Sequence, residues 1–181
     1  MPRNIEIKVR IDSVDALLPT ALKVAACAQA ESIEQDDSFF TVPHGRLKLR
    51  QFADGSAELI QYHRPDTGDA RASDYVRVPV PDPGALRTAL ARSLGLKGRV
   101  HKRRWLVLAA TGPCTTRIHL DRVERLGDFM ELEVVLADGQ SDADGTRIAE
   151  TLMQALGLAD AERLAGAYLD LLPDQNRAPP A

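Results

Sequence analysis

Residues 4–11 read Asn-Ile-Glu-Ile-Lys-Val-Arg-Ile, an unbroken alternation of polar and apolar side chains. In a β-strand, successive side chains point to opposite faces, so a period of two predicts a strand. One face of this strand carries Glu6, Lys8 and Arg10, and the other carries only branched apolar residues. The stretch therefore predicts a sheet that buries one face in a core and lines the other with charge.

The same alternation returns along the chain and predicts further strands. Asp54-Gly55 is a typical hairpin turn between two of them. The further strand candidates are 31–41, 46–52, 57–64, 73–80, 99–109, 115–124 and 129–136. Together with the first, they make eight strands, and so many in one domain favour an antiparallel barrel or a strongly curved sheet.

Helices are predicted between the strands and near the end of the chain. Asp12 and Ser13 are suitable caps for the first, in which Pro19 is expected to cause a kink or shift the start. Asp82 precedes a proline at the first position of the second helix. The predicted helices cover 14–29, 83–94, 143–156 and 160–172.

The composition is that of one ordinary globular domain. The chain has 181 residues, of which 44% are hydrophobic and 27% charged. We expect a single domain over 1–172 and a disordered tail over 173–181. A net charge of −3 argues against a simple nucleic-acid coat or a polybasic membrane binder.

The sequence also predicts the cellular compartment of the protein. No apolar run approaches the ~20 residues of a membrane span, and the charged first ten residues predict no signal peptide. Cys27 and Cys114 are too few for a disulfide framework and lack partners at zinc spacing. A reducing cytoplasm is the expected location.

Charged side chains recur at spacing two on seven of the predicted strands. The basic members are Lys8, Arg10, Arg46, Lys48, Arg50, Arg64, Arg77, Lys102, Arg104 and Arg117. The acidic members are Glu6, Asp121, Glu131 and Glu133. The central strands are basic, whereas the first strand and the last two supply the carboxylates.

Any one of these charged faces is typical of the wet side of a sheet. Together, in a closed sheet, they line either the outside or the lumen. A charged lumen needs a charged ligand, because uncompensated buried charge is costly. Many arginines beside a few carboxylates suit a polyphosphate with a bridging divalent metal.

The segment Asn4-Ile5-Glu6-Ile7-Lys8 resembles the Glu-x-Glu-x-Lys opening signature of the CYTH superfamily, also called triphosphate tunnel metalloenzymes. Blocks similar to later family motifs follow in family order at 45–50, 59–65, 73–75, 102–104, 117–121 and 126–133. The resemblance implies an α+β fold: an eight-stranded antiparallel barrel, or tunnel, with helices packed on the outside.

The resemblance also implies site residues. The metal ligands would be Glu6, Glu131 and Glu133, with Asp121 a further candidate and Asn4 in place of the first signature glutamate. The ion would be Mg²⁺ or Mn²⁺. The phosphate chain would be bound by Lys8, Lys48, Arg50, Arg64, Arg77, Lys102, Arg104 and Arg117.

Catalysis would rest on Glu6, Lys8, Arg50 and Arg117. Lys8 would orient the nucleophile or deprotonate it, and a base role requires its pKa to fall well below about 10.4. His119 shares a face with Arg117 and is open between phosphate binding, an acid role and a structural hydrogen bond.

Three functions follow from the resemblance. The first is a metal-dependent hydrolase of inorganic triphosphate, thiamine triphosphate or a nucleoside triphosphate. The second is a class IV-type adenylyl cyclase, which forms cyclic AMP and pyrophosphate. The third is a non-catalytic polyphosphate or nucleotide sensor, which the uncharged Asn4 permits. In each case the partner is a small phosphorylated molecule rather than a nucleic acid or a membrane, and the chain is expected to be a monomer or homodimer.

Overall fold

The computed structural model describes residues 3–63, 71–111 and 114–173. Arg64 and all but the first residue of the predicted tail lie outside them. The strands are β1 (Arg3–Arg10), β2 (Glu31–Phe40), β3 (Arg46–Phe52), β4 (Ala57–His63), β5 (Arg71–Pro79), β6 (Leu96–Thr111), β7 (Cys114–Val123) and β8 (Gly127–Val135). The helices are α1 (Val14–Ala25), α2 (Pro83–Leu94), α3 (Asp142–Ala155) and α4 (Tyr168–Leu171).

The strands close into an antiparallel barrel in the order β1-β5-β4-β3-β2-β6-β7-β8. Closure depends on β1, which pairs with β5 on one side and with β8 on the other. The predicted fold, an eight-stranded antiparallel barrel with helices outside, is confirmed. Closure also brings the charged faces of the strands together, because every strand has one face toward the lumen.

The apolar face of β1 packs outward beneath helices. Ile5, Ile7 and Val9 are almost fully buried, together with apolar side chains of α1 and α3. Burial of each such side chain contributes roughly 1.5–3 kcal/mol. A Cβ at Gly145 of α3 would lie 2.6 Å from Ile5 Cγ1, so glycine is needed for this close approach. The outward packing leaves the polar face of β1 to the lumen.

The first helix is shorter than predicted. Its N-cap is Ser13, whose side chain accepts a hydrogen bond from the backbone N–H of Asp15. It contains Pro19 and ends at Ala25, where Ala26 adopts a left-handed φ of 53°. None of the helices in the described residues is long and apolar enough to cross a membrane.

The predicted helix at 160–172 is wrong for most of its length, because only α4 is helical there. The chain instead forms a strap, residues 161–173, that runs back over β1. The backbone N–H of Leu164 donates to the carbonyl of Lys8 at 2.8 Å, and Arg163 forms a β-bridge with Val9. Gly166 has a φ of 78°, which breaks a helical path. Tertiary hydrogen bonds therefore override the helical pattern.

Candidate functional site

The barrel encloses a cavity of about 370 Å³, near the lower end of the range for ligand pockets. Its cationic lining residues are Lys8, Lys48, Arg50, Arg77, Lys102, Arg104 and Arg117. Its acidic lining residues are Glu6, Asp37, Glu58, Glu131 and Glu133. Asn4 and His119 also line it, and Asp121 is fully buried and hydrogen-bonded to the lining residues Lys102 and Arg104. Apart from Arg64, which the structure does not describe, the predicted site residues therefore meet in or beside one lumen.

The carboxylates of β1 and β8 lie together because of the strand register. Glu6 is directly opposite Glu133, and Lys8 is directly opposite Glu131. Cβ atoms of such opposed residues are about 4.5–5.5 Å apart. Two carboxylates at this spacing repel each other unless positive charge or hydrogen-bond donors lie between or beside them.

Glu133 has such donors. Asn4 Nδ2 donates to Glu133 Oε1, and Arg117 NH1 donates to the same oxygen at 3.0 Å. His119 Nε2 lies 3.9 Å from Glu133 Oε2. Burial, reinforced by Arg104, lowers the pKa of His119 well below its ordinary value, so the ring is neutral at physiological pH. In the described part of the chain, Asn4 Oδ1 and His119 Nδ1 are buried without a hydrogen-bond partner.

A second acidic centre is Asp37 of β2, a strand that β6 and β7 separate from β8. Its carboxylate accepts two hydrogen bonds from Arg50, each of 2.7 Å, and one from Lys48 at 2.9 Å. Burial alone would raise the pKa of Asp37, but Arg50 and Lys48 outweigh it and hold that pKa far below its ordinary value. Burial, reinforced by Arg50, lowers the pKa of Lys48 to about 8.

A third acidic centre is Asp121 of β7. It accepts hydrogen bonds from Arg104 at 2.6 Å, from Lys102 at 2.7 Å and from the hydroxyl of Tyr168 at 2.9 Å. Arg104 also donates to Glu131 at 2.8 Å. Burial, reinforced by Arg104, lowers the pKa of Lys102 to about 7. This network joins β6, β7 and β8 to the strap.

Lys8 is held beside the strap, whose Tyr168 lines the lumen. Its Nζ donates to the carbonyl of Gly166 at 3.1 Å and lies 4.3 Å from the centre of the Tyr168 ring. Glu131 Oε1 is 3.7 Å away. The ammonium group is thus fixed between a carboxylate of β8 and the strap.

The oxygen ligands available in the lumen suit a divalent ion that binds through few protein ligands. Among the described residues, no three His, Cys, Asp or Glu side chains are grouped closely enough to enclose an ion. Mg²⁺, however, usually binds through one or two carboxylates and takes its other ligands from water and substrate phosphates. The opposed Glu6 and Glu133, with the unpartnered Asn4 Oδ1 nearby in sequence on β1, supply oxygen ligands of that kind.

Comparison with protein families matches the sequence to the CYTH domain over residues 2–168. The chain belongs to the CYTH family. The search of curated proteins found no match.

Solved structures share the fold of this CYTH chain. The PH1012 protein from Pyrococcus horikoshii OT3 is 23% identical, with a TM-score of 0.79 over 94% of this chain and 99% of that one. A candidate adenylate cyclase from Vibrio parahaemolyticus is 19% identical, with a TM-score of 0.68 over 93% and 96%. HpAC1 from Hippeastrum, described as having a dominant triphosphatase activity, is 14% identical, with a TM-score of 0.65 over 92% of each chain.

Several lumen residues of this CYTH domain were missed from the sequence, among them Glu58, Asp37 and Tyr168. Asp37 lies in the irregular polar strand 31–41, where its only signal is its position in phase with Gln35 and Phe39. Tyr168 lies in the segment predicted as a helix, and its place in the lumen depends on the path of the strap. Neither position has a local pattern that marks it as part of a site.

Proposed function

We propose that this CYTH protein is a metal-dependent hydrolase of small triphosphate-containing compounds. The observation that carries the proposal is the convergence of seven lysines and arginines with the carboxylates of β1 and β8 in one lumen. Such an arrangement matches a polyanion chain that is bound by cations and bridged by a divalent ion.

The basic residues would bind the phosphate chain. Arginine forks match phosphate oxygens in pairs, and the cations of this site are fixed by carboxylates before substrate arrives. Preorganised cations stabilise the charge that develops on the transferred phosphoryl group, which is usually the largest contribution to such catalysis. We assign this role to Arg50, Arg104 and Arg117.

Glu6 and Glu133 would hold Mg²⁺ or Mn²⁺, with Glu131 next to them on β8. When bound, the ion supplies Lewis-acid neutralisation of the phosphate oxygens. Lys8 Nζ, fixed by Gly166 and Tyr168, would orient the attacking water toward the terminal phosphorus. A bond from the water oxygen to that phosphorus would form as its bond to the bridging oxygen breaks. The rest of the phosphate chain would leave with that electron pair, and the proton lost by the water would pass to a phosphate oxygen.

The size of the cavity favours hydrolysis over cyclisation. A cyclase must enclose a folded-back nucleotide so that the ribose hydroxyl reaches the α-phosphorus. A cavity of about 370 Å³, near the lower end of the range for ligand pockets and lined by seven lysines and arginines, suits the phosphate chain better than a whole nucleotide. The described triphosphatase activity of HpAC1, a protein of the same fold, agrees with this choice.

The deciding experiment is product analysis. The protein is incubated with inorganic triphosphate, thiamine triphosphate or ATP in the presence of Mg²⁺ or Mn²⁺. Release of orthophosphate supports the proposal, whereas cyclic AMP with pyrophosphate identifies a cyclase. Binding without turnover of any substrate identifies a sensor. Two matched variants control for contaminating phosphatases. Arg104→Gln is expected to be inactive. Arg103→Gln is expected to be active, because the Arg103 side chain is half exposed on the outer face of β6.

A further inference from the structure

Two clusters of the same composition lie in the lumen wall. Each joins one aspartate to a lysine and an arginine that are two residues apart on a neighbouring strand. The first clamp consists of Asp37, Lys48 and Arg50. The second clamp consists of Asp121, Lys102 and Arg104.

The two clamps also share their hydrogen-bond geometry. In each, the arginine Nε donates to aspartate Oδ1 and the arginine NH2 donates to Oδ2, at 2.7 and 2.7 Å in the first clamp and at 2.6 and 2.6 Å in the second. In each, the lysine donates to Oδ2, at 2.9 and 2.7 Å respectively. A bidentate contact of this kind fixes the plane of the guanidinium group.

The aspartates leave most donors of the first clamp available. A guanidinium has five N–H donors and an ammonium has three. The contacts to Asp37 use two of the former in Arg50 and one of the latter in Lys48. One carboxylate against two cations also leaves the first clamp with one positive charge, whereas in the second clamp Arg104 also contacts Glu131. The first clamp can therefore hold its cations rigidly and still attract an anion.

The strand order places the two clamps close enough to contact the same ligand. The cations of the first clamp lie on β3 and those of the second on β6, and only β2 separates these strands. Neighbouring strands are about 4.7–4.9 Å apart, so the two backbones lie about 10 Å apart across the wall. Both sets of cations line the cavity. Side chains that converge over this width match adjacent groups of one phosphate chain.

We propose that Asp37 is a positioning residue that holds Lys48 and Arg50 in the orientation that binds one phosphoryl group of the substrate. Asp121 does the same for the second clamp and the adjacent phosphoryl group, which assigns Asp121 to phosphate binding rather than to metal. The inference rests on the proposed function, because it requires a polyphosphate in the lumen.

Besides positioning Lys48, Asp37 favours its protonated form. The charged and titratable groups that face Lys48 are Asp37, Arg50, Arg104 and Tyr62. Of these, Asp37 favours the ammonium form, whereas Arg50 and Arg104 oppose it. Without Asp37, Lys48 loses its proton more readily, and binding of an anion weakens further as the pH rises.

The test is calorimetric binding of inorganic triphosphate, with chelator and without metal, at about pH 6.5 and about pH 8.5. We compare wild type, Asp37→Asn and Asp36→Asn. Asp36 is the adjacent residue on β2, on the outer face, and forms an ion pair with Arg99, so it matches the substitution outside the lumen. Asp37→Asn is expected to weaken binding about 10- to 100-fold, more at the higher pH, and Asp36→Asn less than about twofold.

Asp37→Glu provides the measurement if Asp37→Asn does not fold. It keeps the charge but displaces the carboxylate, so we expect weaker binding with the pH profile of wild type. Wild-type affinity for triphosphate in Asp37→Glu, or equal binding by Asp37→Asn and Asp36→Asn at both pH values, overturns the positioning role alone. Failure of the wild-type protein to bind triphosphate in chelator overturns this inference alone, and failure to bind it in Mg²⁺ as well overturns the proposed function too.

Discussion

Glu6 of β1 lies directly opposite Glu133 of β8, and both side chains face the lumen. Opposed like charges destabilise an antiparallel pair unless something cationic is placed beside them. Arg117 and Asn4 donate to Glu133, and the two carboxylates are the oxygen ligands that we propose for a divalent ion. The first prediction follows from this relationship.

We expect activity to require a divalent ion and to disappear in excess chelator. Glu6→Gln and Glu133→Gln should each weaken Mn²⁺ binding by about 10- to 100-fold, the usual cost of disturbing a metal site. Electron paramagnetic resonance of free Mn²⁺ measures this directly. The matched control is Glu34→Gln on the outer side of β2, where the carboxylate pairs with Arg103. Full turnover in chelator would exclude the metal assignment.

Arg117→Ala should lower turnover by about 10²–10³-fold, the scale of losing one preorganised electrostatic contact. Arg122→Ala is its control on the same strand, because Arg122 lies outside the lumen and pairs with Asp128 and Asp15 at the surface. Exposed pairs of this type contribute at most about 1 kcal/mol, so this variant should keep wild-type activity. Steady-state kinetics and thermal unfolding measure both effects. Equal activity of the two variants would contradict the placement of Arg117 in the site.

Asp37 and Asp121 should make the stability of the folded protein depend on pH in the acidic range. Their partners hold the pKa of Asp37 and of Asp121 below the ordinary value of about 3.9. A group whose pKa is depressed by folding stabilises the folded state above its unfolded pKa, and that stability is lost as the pH falls. The free energy of unfolding, measured with denaturant, should therefore fall steeply below about pH 4. In Asp37→Asn this dependence should be flatter, and an unchanged slope would mean that Asp37 is not paired in solution.

Binding of triphosphate should be accompanied by proton uptake near neutral pH. Burial lowers the pKa of Lys48 to about 8 and that of Lys102 to about 7, so both are partly deprotonated around these values. Nearby phosphate charge favours the ammonium forms and raises both pKa values. Calorimetry in buffers of different ionisation enthalpy measures the protons taken up. Uptake should diminish in Lys102→Met, and no uptake in the wild type near neutral pH would contradict this prediction.

The sequence predicts which face of its strand a side chain occupies better than it predicts which residue it meets on the neighbouring strand. Period-two alternation determines that Lys8 and Arg104 share the polar side of their strands, and closure then places them in one lumen. The ladder register is not encoded in any single strand, so nothing local shows that Asp37 meets Arg50 across β2 and β3. The strap depends on hydrogen bonds to β1, such as that from Leu164 to Lys8, which outweigh a helical pattern.

The last prediction concerns Asn4, which occupies the position of the first glutamate of the family signature. Asn4 lines the lumen two residues before Glu6, and its Nδ2 donates to Glu133. Asn4→Glu replaces that donor with a third carboxylate beside two others. The variant should be less stable than wild type without metal, because the added charge repels Glu133.

The same change should tighten metal binding, because ion affinity rises with the charge of the ligands. We expect a larger rise in melting temperature on addition of Mg²⁺ or Mn²⁺ than in wild type. The control is Gln61→Glu, the same change of amide to acid at an exposed position on β4. Unchanged metal affinity in Asn4→Glu would mean that Asn4 does not face the ion. Tighter metal binding with slower turnover would instead show that asparagine, which holds Glu133 through its amide, suits the substrate of this protein better than the family's glutamate.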